Sequence, residues 1–267
     1  MKSKKLNKSN TKSIDKLVDT MAKLRSPKGC PWDKIQTHKT LKRYLIEEAY
    51  ETIDAIDTND PKLLMEELGD VLLQVVLHSQ IAKEKRHFTF NDVATCVNEK
   101  MITRHPHVFS NVKVKNAEEV IVNWEKIKRG EKPHRKDVLD GVPRSLPALL
   151  RAFKISKKVA RDGFDWEKEI DIWKVLNSEI KEFNKALKSK KKGLMDEELG
   201  DILFTIVNIA RWHKIDPEES LSKSTFKFVK RYNDVKGFAK KANKNLNELS
   251  AQELNKIWEL VKNKRKR

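Results

Sequence analysis

Residues that interrupt helices or cross-link a chain are scarce in this sequence. Its 267 residues include only 8 glycines, 8 prolines and 2 cysteines, and alternating Val, Ile and Thr are rare. The composition therefore predicts an all-α protein, because strand patterns and frequent turn signals are both missing. Cys30 and Cys96 have no CxxC spacing, which argues against a disulfide framework or a structural zinc site and favours a reducing cytoplasm.

Long apolar runs are missing as well. The most apolar run, at 71–82, contains Gln74 and His78, so it is too short and too polar to span a membrane. The basic N-terminus is not followed by an apolar signal core, since Asp19 and Lys23 interrupt the apolar residues there. We therefore expect no membrane segment and a cytoplasmic location.

Positive charge, in contrast, is abundant. There are 57 Lys and Arg residues against 39 Asp and Glu, a net charge of +18, which attracts anions such as nucleotides and nucleic acids. Much of the excess lies at the two ends, where we predict basic tails at 1–14 and 263–267. Because the tails carry this charge, nucleic acid is not a required partner, but a basic helical nucleic-acid-binding protein remains an alternative.

An internal repeat organises the chain. MEELGDVLLQVV at 65–76 recurs as DEELGDILFTIV at 196–207, and four further blocks recur in the same order. Such a pattern predicts a tandem repeat of two all-α domains. Three prolines and two glycines mark 129–147 as a linker, which leaves domains at 15–128 and 148–262.

Each half has the same predicted order of helices. The first half has helices near 37–57, 62–85 and 90–104, and the second has them near 169–188, 196–213 and 217–241, with a last helix at 250–261 that begins with a capping box of Ser250 and Glu253. Along the first of these helices one stripe is apolar, and we expect it to face the core. The stripe consists of Leu45, Ile46, Ala49, Ile53 and Ile56.

Acidic residues recur three positions apart on two neighbouring helices of each half. Residues at this spacing share a helix face, and a short turn should pack the two helices antiparallel, so that the acidic pairs meet. Carboxylates within apolar sequence need a positive partner, and an oxygen-only site of this kind suits Mg²⁺, with Mn²⁺ as a substitute. The predicted metal ligands are Glu48, Glu51, Glu67 and Asp70 in the first half and Glu179, Glu182, Glu198 and Asp201 in the second.

A carboxylate-bound cation without a nucleophile motif indicates phosphate chemistry. No P-loop and no GxGxxG loop is present, so the cation would join protein carboxylates to substrate phosphates. Basic and aromatic side chains on the later helices are candidates for binding the phosphates and the base, although the tryptophans would equally fill a core. These residues are Lys100, Arg104, Lys227, Arg231, Tyr232 and Trp258. Gly69 and Gly200, each between two ligands, would allow close approach of a helix or a substrate.

Five motifs together resemble those of MazG-type nucleoside triphosphate pyrophosphohydrolases. They are CPWD (30–33), the EExxE of 47–51, ELGD (67–70), RHPHVF (104–109) and PRSLPAL (143–149). The resemblance covers about 15–262 and implies an all-α NTP pyrophosphatase fold built of four-helix-type bundles, a homodimer, and the reaction NTP + H₂O → NMP + diphosphate with Mg²⁺, in housekeeping of the nucleotide pool. It also implies roles for Glu47 and for the four ligands of the first half.

The two copies differ at one acidic position, where Ser178 replaces the counterpart of Glu47. We expect water to attack the α-phosphorus, with Glu47, Glu48 and Glu179 as catalytic carboxylates. Either copy is a candidate for the working site. A related dUTPase or phosphoribosyl-ATP pyrophosphohydrolase and a regulatory protein with decayed sites remain alternatives.

Overall fold

Helices make up the regular secondary structure of residues 8–131 and 137–264, the part of the chain that the computed structural model describes. The all-α prediction is confirmed for this part. Twelve α-helices and one short 3₁₀ turn, Leu246–Glu248, are found in it: α1 Lys8–Leu24, α2 Pro31–Ile35, α3 Lys42–Thr58, α4 Pro61–Glu84, α5 Phe90–Arg104, α6 Pro106–Phe109, α7 Ala117–Gly130, α8 Ala148–Arg161, α9 Glu169–Ser189, α10 Lys192–Trp212, α11 Pro217–Lys241 and α12 Ala251–Lys264.

The chain divides into two compact units, Met1–Lys132 and Pro133–Arg267. The division falls inside the segment predicted as a linker, of which 132–136 lies outside the described residues. Helix α1 begins within the segment predicted as the first tail, while 1–7 and 265–267 also lie outside the described residues.

Asp-Pro pairs begin two of the longest helices. The Oδ1 of Asp60 accepts hydrogen bonds from the backbone N–H groups of Lys62 and Leu63 at 2.9 and 3.4 Å, which caps the first turn of α4. Asp216 caps α11 in the same way. In both helices proline follows at the first position, where the missing N–H costs nothing.

Two helix starts differ from the prediction. Helix α3 begins at Lys42 rather than at 37, because the hydroxyls of Thr37 and Thr40 accept hydrogen bonds from each other's backbone N–H and close a separate turn. Helix α10 begins at Lys192 rather than at 196, one turn earlier, with no side-chain cap. The predicted capping box at α12 is confirmed: Glu253 accepts from the backbone N–H of Ser250 at 2.8 Å, and Ser250 accepts in return at 3.2 Å.

The acidic helices of each half are joined by matching turns. Asn59 ends α3 with φ = 56°, and Lys190 ends α9 with φ = 57°. Both residues adopt the left-handed conformation, which reverses the chain within two or three residues. As a result α3 packs against α4, and α9 packs against α10.

The buried core of the first unit lies beside the second half of α4. Val76, Leu77 and Ile81 pack there against Met21 of α1 and against Leu41. In the second unit, α10 packs against α8 and α9, and Val207 of α10 and Ile172 of α9 are fully buried.

The expected core stripe of α3 is wrong. Ile46, Ile53 and Ile56 are each more than half exposed, whereas Ala55 is buried and Glu48 is partly buried. The face of α3 that packs within the chain is therefore the face that carries the ligand candidate Glu48. Glu48 and the apolar stripe lie on different sides of α3. Since the side with Glu48 packs against α4, the stripe is directed away from α4.

Replacing Lys190 by Gly should stabilise the second unit by about 1 kcal/mol, because a Cβ disfavours the left-handed conformation. The measurement is urea denaturation followed by circular dichroism. Lys188→Gly is the matched control: this residue lies in the last turn of α9, where glycine should cost about 1 kcal/mol. Equal effects of the two changes would contradict the role of the turn.

Candidate metal centre

Three carboxylates of the first half converge between α3 and α4. One oxygen each from Glu48, Glu67 and Asp70 lies within 4.8 Å of the other two, and all three residues are partly buried. We call these three residues the first triad. Glu51, the fourth predicted ligand, is exposed and lies outside the triad, but its charge acts on both Glu48 and Glu67.

The second half repeats the arrangement between α9 and α10 with a different third member. Glu179, Glu182 and Glu198 have oxygens within 4.8 Å of one another, and we call them the second triad. Asp201 is exposed and outside this set, although its charge acts on Glu179 and Glu198. In each half, then, three of the four predicted ligands meet and the fourth lies within electrostatic range.

Burial and like charge hold protons on these carboxylates more tightly than usual. Burial, and then the charges of Asp70 and Glu51, raise the pKa of Glu48, and burial and neighbouring carboxylates likewise raise the pKa of Glu67. Burial followed by carboxylate charges also raises the pKa of Glu179 and of Glu198. A bound cation would relieve this repulsion.

Polar neighbours of the triads were not identified from the sequence. The Gln74 amide nitrogen lies 3.4 Å from Glu48 Oε1. In the second half the hydroxyl of Ser178 donates to Glu182 Oε1 at 3.0 Å, and the charge of Lys185 lowers the pKa of Glu198 against the larger effects that raise it. The sequence did contain one signal for Gln74, because it is an amide within an otherwise apolar stretch of α4.

Other predicted site residues differ in their surroundings. Glu47 is exposed and outside the first triad, beside Glu48 in sequence. No atom comes within 4 Å of a Cβ built on Gly69 or Gly200, so no helix of the described chain makes the close approach expected there.

Of the two candidate basic residues of the first half, Arg104 already has an acidic partner within the chain. Arg104 is buried and donates to Glu131 at 2.6 Å, with its guanidinium 5.2 Å from the ring centre of Trp124. The hydrogen bond to Glu131 is the main cause that raises the pKa of Arg104. Lys100, one turn earlier on α5, is exposed.

Basic and aromatic side chains of the second half form a more open group. The guanidinium of Arg231 lies 5.9 Å from the ring centre of Trp258, and Phe228 contacts both Trp258 and Tyr232 at centroid distances of 5.4 and 6.5 Å. Tyr232 is exposed, as is Lys227. Bases and phosphates are the complementary ligand groups for such a surface.

Both arginines occupy matching positions in their helices. Arg104 lies 14 residues after the first residue of α5, and Arg231 lies 14 residues after the first residue of α11. The carboxylates that act on Arg104 are those of Glu131 and Glu125.

Among the described residues, no helix combines the length and apolar character needed to cross a membrane.

Comparison with known proteins agrees with the repeat. The model of the MazG nucleotide pyrophosphohydrolase domain matches two segments of the chain, 36–109 and 168–236. The first segment contains the first triad with Lys100 and Arg104, and the second contains the second triad with Lys227, Arg231 and Tyr232.

Similarity to individual proteins extends over most of the chain. The sequence is 43% identical to the nucleoside triphosphate pyrophosphohydrolase/pyrophosphatase MazG of Thermotoga maritima, over 93% of this chain and 95% of that protein. It is 38% identical to the nucleoside triphosphate pyrophosphohydrolase of Escherichia coli K12, over 93% and 97%. It is also 46% identical to the uncharacterized protein YabN of Bacillus subtilis, of which it covers 50%.

The raised carboxyl pKa values predict how stability depends on pH without metal. Folded Glu67 binds its proton more tightly than unfolded Glu67, so its contribution to stability is present below about pH 4.5 and is lost as the pH rises through the folded pKa. In EDTA at pH 7.5, Glu67→Gln should therefore have a higher Tm than the parent, and the difference should vanish near pH 4.

Asp92→Asn is a control for which the change in Tm at pH 7.5 should have the opposite sign to that of Glu67→Gln. Hydrogen bonds from Thr89 lower the pKa of Asp92, so its stabilising contribution is present above about pH 4 and is lost at lower pH. The Tm of this variant should be lower than that of the parent at pH 7.5, and the two Tm values should be equal at acidic pH. If Glu67→Gln also melts below the parent at pH 7.5 in EDTA, repulsion within the triad is refuted.

Proposed function

Because the chain belongs to the MazG nucleotide pyrophosphohydrolase family, we propose that it hydrolyses nucleoside triphosphates to nucleoside monophosphates and diphosphate at its carboxylate triads. The observation that carries the proposal is that each of the two matched segments holds three converging carboxylates. The substrates are nucleoside triphosphates or their deoxy forms, and the role is housekeeping of the nucleotide pool.

Mg²⁺ is the cofactor that fits these triads, with Mn²⁺ as a substitute. The converging groups of each triad are carboxylates alone, and hard divalent cations prefer oxygen ligands. When bound, such a cation supplies charge for the phosphates and lowers the pKa of water. Glu48, Glu67 and Asp70 would hold it in the first half, and the second triad would do so in the second.

The remaining side chains have separate tasks in this proposal. Glu51 and Asp201, each beside a triad, orient the attacking water, and Glu47 is a further candidate in the first half. Lys227 and Arg231 bind phosphate oxygens, while Tyr232 and Trp258 contact the base. In the first half Arg104 and Lys100 bind phosphate, and Arg104 exchanges Glu131 for the substrate when it does so.

The aromatic and basic face of α11 also fits a nucleic-acid strand, which presents bases and phosphates as well. The triad on the neighbouring helices favours the nucleotide, because a free triphosphate has adjacent charges that a cation bridges. We therefore rank nucleotide hydrolysis above nucleic-acid binding.

We further propose that the chain is a homodimer in the cytoplasm, with MazG-like domains at 15–128 and 148–262. The support for a dimer is the apolar surface that single chains leave exposed, since Ile46, Tyr50 and Ile53 of α3 are each more than half exposed. Two free cysteines fit a reducing compartment.

Removing the carboxylates of one half should show how much of the hydrolytic activity belongs to each of the two halves. Glu67→Ala with Asp70→Ala should remove the contribution of the first half, and Glu198→Ala with Asp201→Ala that of the second. Combining all four changes should lower Mg²⁺-dependent diphosphate release by about 100-fold or more, because several kcal/mol of charge stabilisation are lost. The measurement is NMP and diphosphate formation from a panel of NTPs and dNTPs.

Glu66→Ala and Glu197→Ala are the matched controls for this experiment. Each residue precedes a ligand on the same helix and is exposed outside the triads, so activity should change by less than about threefold. Full activity of the fourfold variant would refute the proposed sites.

Charge placed on the apolar face of α3 should separate the dimer. Ile53→Glu should shift the mass measured by light scattering from about two chains toward one chain of 31.1 kDa, because the charge would be buried against the second copy. Lys62→Glu, at an exposed position on α4, should leave the mass unchanged. A parent protein that is itself monomeric would refute the dimer.

A further inference from the structure

Gln74 is a buried amide in an otherwise apolar part of α4. It lies one turn after Asp70, and only 5% of its side chain surface is exposed. Buried Val76 and Leu77 follow it closely. An apolar side chain would pack at this position without desolvating an amide, so packing alone does not explain the residue.

The contact that Gln74 makes is with the first triad. Its Nε2 lies 3.4 Å from Glu48 Oε1, across the α3–α4 interface. The assignment of nitrogen and oxygen follows from chemistry, because an ionised carboxylate only accepts hydrogen bonds and so must face the N–H group. The Glu48 carboxyl group also has a side-chain hydrogen bond with Glu51, which raises its pKa, whereas the hydrogen bond from Gln74 lowers it.

The other end of the same amide has no partner. Gln74 Oε1 is buried and accepts no hydrogen bond within the described residues. A buried acceptor without a donor costs stability, so this amide is present at a cost that an apolar side chain would avoid.

The second half lacks this arrangement. The position that matches Gln74 in the repeat is Thr205, which is buried but has a shorter side chain without an amide. There the donor is Ser178, whose hydroxyl bonds to Glu182 from the same helix. A Gln is therefore not required by the packing of this fold at that position.

We propose that Gln74 is a positioning residue of the first metal site, holding the Glu48 carboxylate in the orientation that binds the cation. The inference rests on the proposed metal-dependent function. Groups that hydrogen-bond to metal ligands fix ligand orientation, and losing one commonly weakens metal binding by about 10-fold or more.

Mn²⁺ binding to a single-site protein tests this role. Glu179→Ala with Glu198→Ala removes the second triad, and Mn²⁺ affinity is then measured by calorimetry with and without Gln74→Met, which keeps the size of the side chain but removes the amide. We expect affinity to fall by about 10-fold, while the Tm in EDTA stays level or rises. Gln74→Thr, which copies position 205, should give the same fall and carries the test if the Met variant does not fold.

Ser79→Ala is the matched control. Ser79 is also buried on α4, but its hydroxyl bonds to the backbone oxygen of Val75, so its loss should not change Mn²⁺ affinity. If the single-site parent binds Mn²⁺ and both Gln74 variants bind it within twofold, the positioning role is overturned while the metal site stands. If the parent binds no Mn²⁺, the metal site and the role of Gln74 are both overturned.

Discussion

The fold has to hold like charges together between two helices. In each half three carboxylate oxygens lie within 4.8 Å of one another, and their mutual repulsion opposes the packing of the helices that carry them. In the first unit the opposing force comes from the far half of α4, where Val76, Leu77 and Ile81 are buried against α1 and Leu41. One helix thus combines an apolar end that is packed in the core with an acidic end that a bound cation would stabilise.

Much of this arrangement follows from the sequence, because repeated spacing is a direct signal of shared helix faces. The tandem repeat and the helices α3, α4, α5, α9, α10, α11 and α12 were predicted from the sequence, and the acidic pairs were assigned to the α3–α4 and α9–α10 interfaces. Helices α1, α7 and α8 were not predicted. The membership of each triad was not predictable, since Glu51 and Asp201 have the same spacing as their partners and lie outside the triads, whereas Glu182, which is also exposed, lies inside one. Which of two apolar or acidic faces packs inward depends on helix rotation, and for this reason the stripe with Ile53 was assigned wrongly.

The two repeats place similar carboxylate triads in different surroundings. In the first half Arg104 is tied to Glu131, and Glu48 has an amide donor. In the second half Arg231 lies over Trp258 at the surface of an uninterrupted α11. Since both halves have a carboxylate triad, they differ mainly in the basic, amide and aromatic side chains described here.

The exposed apolar stripe of α3 has a thermodynamic consequence. In the proposed dimer a second chain would cover Ile46 and Ile53, which one chain leaves exposed, so part of the hydrophobic stabilisation would belong to the pair of chains and not to either chain alone. By mass action the Tm of such a dimer would rise with its own concentration. Dilution would then act as a denaturing condition, and the folded lifetime of the enzyme in a cell would depend on how much of it is made.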